Sequence, residues 1–186
     1  MFIQTEQTPN PATLKFLPGR EVLPGGVLDF TDPERAEASP LARRLFAVEG
    51  VTGVFLGADF ITVTKAEGQD WYVLKPAVLG AVMEHYLSGD PIVAPDSQLA
   101  DEEGAPSDED DALVRQIREL IDTRVRPAVA QDGGDIIFRG FERGVVYLHM
   151  RGACAGCPSS TITLKNGIEN LLRYYVPEVV EVRQVA

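Results

Sequence analysis

The sequence predicts an α+β protein: two small two-layer α/β-sandwich domains joined by an acidic flexible linker. Three observations lead there. Residues 95–109 hold one large apolar residue, Leu99, among Pro, Gly, Ser and like charges. Such a stretch buries too little surface to offset its ordering entropy, and its charges extend it. On both sides of it, runs of helical period alternate with short strand-like runs bounded by turn residues. The last part reads α-β-β-α-β, the order of a small two-layer domain. The expected division is a domain over 1–94, a tether over 95–109 and a second domain over 110–186, within the reach of a 186-residue chain.

In the first domain, residues 1–5 and 12–17 read as strands around the turn Thr8-Pro9-Asn10-Pro11. Pro18-Gly19 and Pro24-Gly25-Gly26 mark further turns. Ser39-Pro40 starts a helix as N-cap and first-turn proline, with Leu41, Leu45 and Val48 on one face and Glu49-Gly50 at its end. Residues 51–56 and 60–65 are strands joined by Gly57-Ala58-Asp59. Asp70 caps a helix running to about residue 87, with Leu79, Val82, Met83 and Tyr86 expected inward and Pro76 near its start. Ser88-Gly89-Asp90-Pro91 stops it.

In the second domain, the acids at 108–111 favour the positive end of a helix dipole. Leu113, Ile117, Leu120, Ile121 and Val125 keep helical period, Arg115, Arg118 and Arg124 take the other face, and Pro127 kinks the last turn. Asp132-Gly133-Gly134-Asp135 ends that helix. Residues 136–141 and 144–150 form a hairpin around Glu142-Arg143-Gly144. A tight loop, 152–157, leads into a helix opened by Pro158-Ser159-Ser160 and carrying Ile162, Leu164, Ile168, Leu171 and Leu172. After Pro177, residues 179–185 close as a strand.

Charge narrows the function classes. The net charge is -11, yet residues 95–111 alone carry eight acids and no base, while residues 112–186 carry 8 acids and 10 bases. An acidic chain of this kind is not built for nucleic acid, whose phosphates are bound through excess Lys and Arg. No apolar run approaches the length of about 20 residues that spans a membrane. The opening Met1-Phe2-Ile3-Gln4-Thr5-Glu6 has the pattern of neither a secretory signal nor an Arg-rich transit peptide.

The only two cysteines lie three apart in Gly152-Ala153-Cys154-Ala155-Gly156-Cys157-Pro158. In a reducing compartment a close pair is metal-binding or catalytic rather than a scaffold disulfide. Cys157 directly precedes a helix start, where unpaired N–H groups favour a thiolate. Small neighbours leave the pair open to a second molecule. Three readings stand: a structural pair, a thioredoxin-like dithiol, or half of a metal site completed by a second chain. The dithiol reading lacks the usual aromatic before the first cysteine, where Ala153 stands, and has Ala155-Gly156 between the sulfurs. A tetrahedral sulfur site needs four ligands, so the third reading requires two chains. Other candidates are set lower. His149 reads as a strand-face histidine and His85 as a partly exposed one. Asp132 and Asp135 read as turn or cap residues, Trp71 as helix-start packing. Arg151 and Lys165 read as solvated charges, with a role in holding a negative cluster or an acidic partner as the alternative.

The runs Asp132-Gly133-Gly134-Asp135, Gly152-Ala153-Cys154-Ala155-Gly156-Cys157-Pro158-Ser159-Ser160-Thr161, Leu164-Lys165-Asn166-Gly167-Ile168-Glu169 and Val176-Pro177-Glu178-Val179 closely resemble the NifU-like C-terminal domain of Nfu proteins. Gln4-Thr5-Glu6-Gln7-Thr8-Pro9-Asn10-Pro11 and Asp70-Trp71 resemble the Nfu N-terminal domain, of the mitochondrial and alphaproteobacterial type. The resemblance implies a non-enzymatic iron–sulfur scaffold or carrier. It implies one [4Fe-4S] cluster shared between two chains, with Cys154 and Cys157 as ligands, and hence a homodimer through the cluster site. It also implies delivery to apo iron–sulfur client proteins, loading by upstream cluster-assembly proteins, and a client- or partner-recognition role for the cysteine-free N-terminal domain. The expected location is the bacterial cytoplasm, or the mitochondrial matrix for a processed form. The alternative function is a thiol–disulfide oxidoreductase using the same pair, and a zinc-linked dimer is a third class.

Overall fold

The computed structural model describes residues 2–24, 26–95, 112–155 and 158–185, with backbone only for 158–161. The expected tether beyond Pro95, the acids at 108–111 and Cys157 lie outside the described residues. The chain divides into two compact units, Met1–Asp101 and Glu102–Ala186.

The first unit carries an antiparallel five-stranded sheet in the order β1-β2-β5-β4-β3. Its strands are β1 (Gln4–Gln7), β2 (Thr13–Leu17), β3 (Leu28–Phe30), β4 (Val51–Leu56) and β5 (Ile61–Lys65). Helices α1 (Pro40–Phe46) and α2 (Trp71–Ser88) supply the second layer. Phe16, Val54, Leu56 and Ile61 from the strands pack with Leu41, Leu45, Val78 and Val82 from the helices. Each such side chain, fully buried, contributes about 1.5–3 kcal/mol. Ser39 caps α1 as expected: its Oγ accepts from the Ala42 N–H (3.1 Å) and donates to the Ile92 carbonyl (2.5 Å). Asp70 caps α2 through the Tyr72 N–H (2.9 Å), and Gly89 ends the helix with φ 74°. Trp71 packs at the helix start, its ring 6.5 Å from Phe16 and its Nε1 donating to the Pro11 carbonyl at 3.2 Å.

Two expectations for this unit need correction, and two short elements had no counterpart in the sequence pattern. Strand β3 and a short 3-10 turn, Arg35–Ala38, carry too few residues to show a period. The inward face of α2 is Leu74, Val78, Val82 and His85; of the expected set only Val82 is fully buried, Leu79 and Tyr86 are half-buried, and Met83 is exposed. The phase was illegible because apolar residues occupy both sides of this helix, so periodicity selects neither. His85, expected to be partly exposed, is completely buried, and neither ring nitrogen has a hydrogen-bond partner among the described residues.

Burial holds the pKa of His85 below its ordinary value of 6.5; the Arg44 guanidinium adds to this and Asp90 opposes it. A histidine held neutral in the fold binds fewer protons than in the unfolded chain, so the unit loses stability as pH falls below about 6.5. His85→Leu removes two unsatisfied buried nitrogens and that proton linkage together. The expected result is a higher melting temperature at pH 5.5 and a flatter profile between pH 7.5 and 5.5. Fluorescence of the single tryptophan, Trp71, reads this unit alone.

The second unit has a three-stranded sheet, β6-β7-β8. Its elements are α3 (Ala112–Leu120), a π-helical turn (Ile121–Val125), α4 (Arg126–Gln131), β6 (Gly134–Glu142), β7 (Val145–Gly152), α5 (Pro158–Tyr175) and β8 (Glu181–Val185). Pro127 does disturb the first helix. The wide turn precedes it and leaves Pro127 in the first turn of α4, where its missing N–H costs little. Strands β6 and β7 pair antiparallel around Arg143 and Gly144, whose φ values of 51° and 79° are those of a two-residue type I′ turn. Strand β8 pairs parallel with β7, reached through α5, and the Gly144 carbonyl accepts from the Val180 and Glu181 N–H groups at 2.7 and 3.2 Å. Ile117, Ile121, Ile136, Leu148, Ile168 and Leu172 form the core between sheet and helices.

Candidate metal centre

The cysteine loop begins where β7 ends. Gly134 pairs with Gly152 at the head of the hairpin, and Asp135 with Arg151. Gly152 turns the chain with φ 62°, and Ala155 N–H donates to the Gly152 carbonyl at 3.1 Å. The Ala153 N–H donates to the Gly133 carbonyl at 3.2 Å, tying the loop to the Asp132–Asp135 corner. Gly133 takes φ 80° there, which a glycine adopts at no steric cost.

The third residue of that corner makes the room for sulfur. A Cβ on Gly134 would stand 2.6 Å from Cys154 Sγ, 2.9 Å from the Arg151 carbonyl oxygen and 3.1 Å from the Cys154 nitrogen. Two of these atoms are backbone and cannot step aside. Gly134 therefore cradles Cys154, a link between the two sequence motifs that spacing alone does not reveal. Gly134→Ala overpacks the corner at a cost of about 1–3 kcal/mol. The expected result is faster labelling of Cys154 by a thiol reagent in a Cys157→Ser background. An unchanged rate would remove the cradle from the account.

Cys154 is only 5% exposed and belongs to the core of the unit. This corrects the expectation that small neighbours leave both sulfurs open: the small neighbour, Gly134, lets Cys154 turn inward. It is not disulfide-bonded. Cys157 lies outside the described residues, and the backbone of α5 begins at Pro158 immediately after it. Among the described residues no group of three or more His, Cys, Asp or Glu is placed to hold a metal ion.

The neighbouring charges are not arranged as expected. Asp132 does sit at the C-cap of α4. Asp135 is no turn residue: it lies in β6, 4% exposed, and accepts two hydrogen bonds from Arg126, Nε to Oδ1 and Nη2 to Oδ2, both 2.9 Å. Arg126 also reaches Asp122 one helical turn earlier, at 3.4 Å. The bidentate bond to Asp135, opposed by burial, raises the Arg126 pKa above its usual value. Sequence reading passed over Arg126; its position before Pro127 and nine residues ahead of Asp135 was the only signal. Arg151 is buried rather than solvated, in register with Asp135. Lys165 pairs with Glu181 at 3.7 Å. His149 lies on β7 with Nδ1 3.3 Å from the Val185 carbonyl oxygen, consistent with a strand-face role.

A buried cysteine on a glycine corner, in one α+β unit, with a cysteine-free α+β unit ahead of it, defines a two-module protein whose thiol chemistry is confined to the second module. Residues 3–89 match the family described as scaffold protein Nfu/NifU N terminal, and residues 117–183 match the NifU-like domain. The human protein named "NFU1 iron-sulfur cluster scaffold homolog, mitochondrial" is 53% identical over all 186 residues of this chain, which cover 72% of that protein. The protein of the same name from Drosophila sechellia is also 53% identical, with 65% of its length covered. A NifU-like protein from Saccharomyces cerevisiae, solved by NMR, is 29% identical over 52% of this chain and 87% of that chain, with a TM-score of 0.45. The chain belongs to the Nfu family and combines its N-terminal domain with its NifU-like domain.

Proposed function

We propose that this chain is an iron–sulfur cluster scaffold and carrier, not an enzyme. In this reading Cys154 and Cys157 are ligands, two chains supply four thiolates to one [4Fe-4S] cluster, and the cluster is cargo passed to apo client proteins. One observation carries the reading: in the unit that matches the NifU-like domain, the free thiol of Cys154 is seated on the Gly134 corner, four residues ahead of α5. The names of the relatives, iron-sulfur cluster scaffold proteins, support the class of cargo.

The buried thiol adds a step. To ligate, Cys154 Sγ must leave its buried seat against Gly134. Tucking the sulfur back displaces it from iron, so the empty chain competes with its own cargo for the thiolate. That competition suits a carrier, which must release what it holds. In the same reading, upstream assembly proteins load the dimer in the bacterial cytoplasm or the mitochondrial matrix. The first unit, 1–94, recognises clients or partners, and the segment 95–109 tethers it.

The test is anaerobic reconstitution with iron and sulfide, followed by iron, sulfide and absolute mass on one sample. About four irons and four sulfides per two chains, in a dimer, is the expected result. An iron-free monomer with a reversible Cys154–Cys157 disulfide would replace this reading by the oxidoreductase.

A further inference from the structure

Helix α2 has two apolar faces and buries only one. Leu74, Val78, Val82 and His85 enter the core. On the opposite side Val73, Pro76, Ala77, Gly80, Met83 and Leu87 recur at the spacing of a core-facing stripe, yet all six are exposed, Val73 at 72% and Leu87 at 87%. A helix apolar on both sides is ordinarily buried on both. The stripe spans four turns, and its middle is low. Ala77 is small, and a Cβ placed on Gly80 would meet nothing within 4 Å. A glycine inside an exposed helix costs about 1 kcal/mol relative to alanine, so its presence here calls for a reason outside the helix's own stability. Small residues at the centre of a helical face let a second backbone approach closely.

Charge selects the occupant. On the same face, one turn after Gly80, Glu84 shares the single guanidinium of Arg44 with Asp90 beyond the helix end, at 3.3 and 2.8 Å, and both carboxylates are more exposed than the arginine between them. Residues 1–94 carry 12 acids against 7 bases. A second copy of the chain would set these carboxylates against their own kind, and an anionic membrane would be repelled. A helix with an apolar face and a basic border would meet both the stripe and the carboxylates.

We propose that the outer face of α2 docks a basic amphipathic helix of a partner protein, with Ala77 and Gly80 as the point of closest approach and Glu84 and Asp90 as the acidic rim. This surface rests on the first unit alone and does not depend on the cluster assignment.

The experiment uses the full chain and a fluorescein-labelled 18-residue model helix with leucines on one face and lysines on the other. A matched peptide with glutamates in place of the lysines is the control. Leu87→Glu and Val73→Glu change exposed positions and are expected to leave the Trp71 melting curve in place. Both add negative charge, which strengthens any merely electrostatic attraction to the lysine peptide. The expected result is at least tenfold weaker binding of that peptide by each variant, and at least tenfold weaker binding of the glutamate peptide by the unsubstituted chain. Equal binding by the variants, or no preference between the peptides, overturns the proposal. So does a wild-type dimer in sedimentation that Leu87→Glu converts to monomer without iron present, because the face would then belong to a second copy. Iron and sulfide content after reconstitution is unchanged in Leu87→Glu under every one of these outcomes.

Discussion

Cys154→Ala yields a folded protein that retains no stable cluster. Removing the sulfur leaves a small cavity against Gly134 in a core otherwise intact, at a cost of about 1 kcal/mol. Far-UV circular dichroism and the urea midpoint of the second unit are therefore expected to change little. Iron retention is expected to change completely, since the proposed two-chain site would lose two of its four thiolates at once. Cys157→Ala has the same effect on iron. Cys154 packs in the core, so its loss leaves a cavity there. Measured together, iron per chain after desalting and the urea midpoint test the assignment. A full-occupancy cluster in either variant contradicts the four-thiolate site.

Arg126→Ala has the largest expected effect on stability. It leaves the Asp135 carboxylate, 5% exposed at its side chain, without the guanidinium that donates to both of its oxygens. Stranding one member of a buried pair costs about 3–5 kcal/mol, with the lower end expected here because water can enter where Arg126 leaves. Asp135→Asn is expected to cost less, about 1–2 kcal/mol, because Arg126 keeps Asp122 and some access to solvent. Asp135 directly follows Gly134, so both substitutions also loosen the corner beneath Cys154. Urea unfolding followed by circular dichroism measures the first effect. The half-life of reconstituted cluster measures the second. If Arg126→Ala unfolds at the same urea concentration as the parent chain, the pair does not hold the corner. A double-mutant cycle with Asp135 separates their mutual term from the rest.

These two predictions differ in how far the sequence alone could have carried them. The cysteine pair announces itself, because two thiols three apart before a proline leave few alternatives. Both hairpins were legible for a similar reason: alternation sets the strands, and Gly57-Ala58-Asp59 or Arg143-Gly144 sets the reversal. Ser39-Pro40 and Asp70 announced helix starts because a cap is a local bond made within three residues. What stayed hidden was contact across elements. Arg126 and Asp135 sit on a helix and a strand, and only the turn between them makes the bidentate bond. The inward rotation of Cys154 depends on an absent Cβ in another strand. The phase of α2 failed for a different cause: with apolar residues on both sides, hydrophobic period gives a helix but not its orientation. Strand β3 is simply too short for any pattern to register.

The parallel pairing of β8 with β7 fixes the order in which the second unit can be completed during synthesis. The cysteine loop emerges from the ribosome before α5, and the strand that closes the sheet comes last. At typical elongation rates the interval between residues 154 and 185 is about 2–6 s. Throughout that interval the hairpin has an open edge along β7, and the helix meant to bury Ile168 and Leu172 against it is unfinished. Cys154 is thus made before Ile168, Leu172 and Val182, later members of the core it belongs to. The nascent loop is the stage at which this thiol is most open to oxidation.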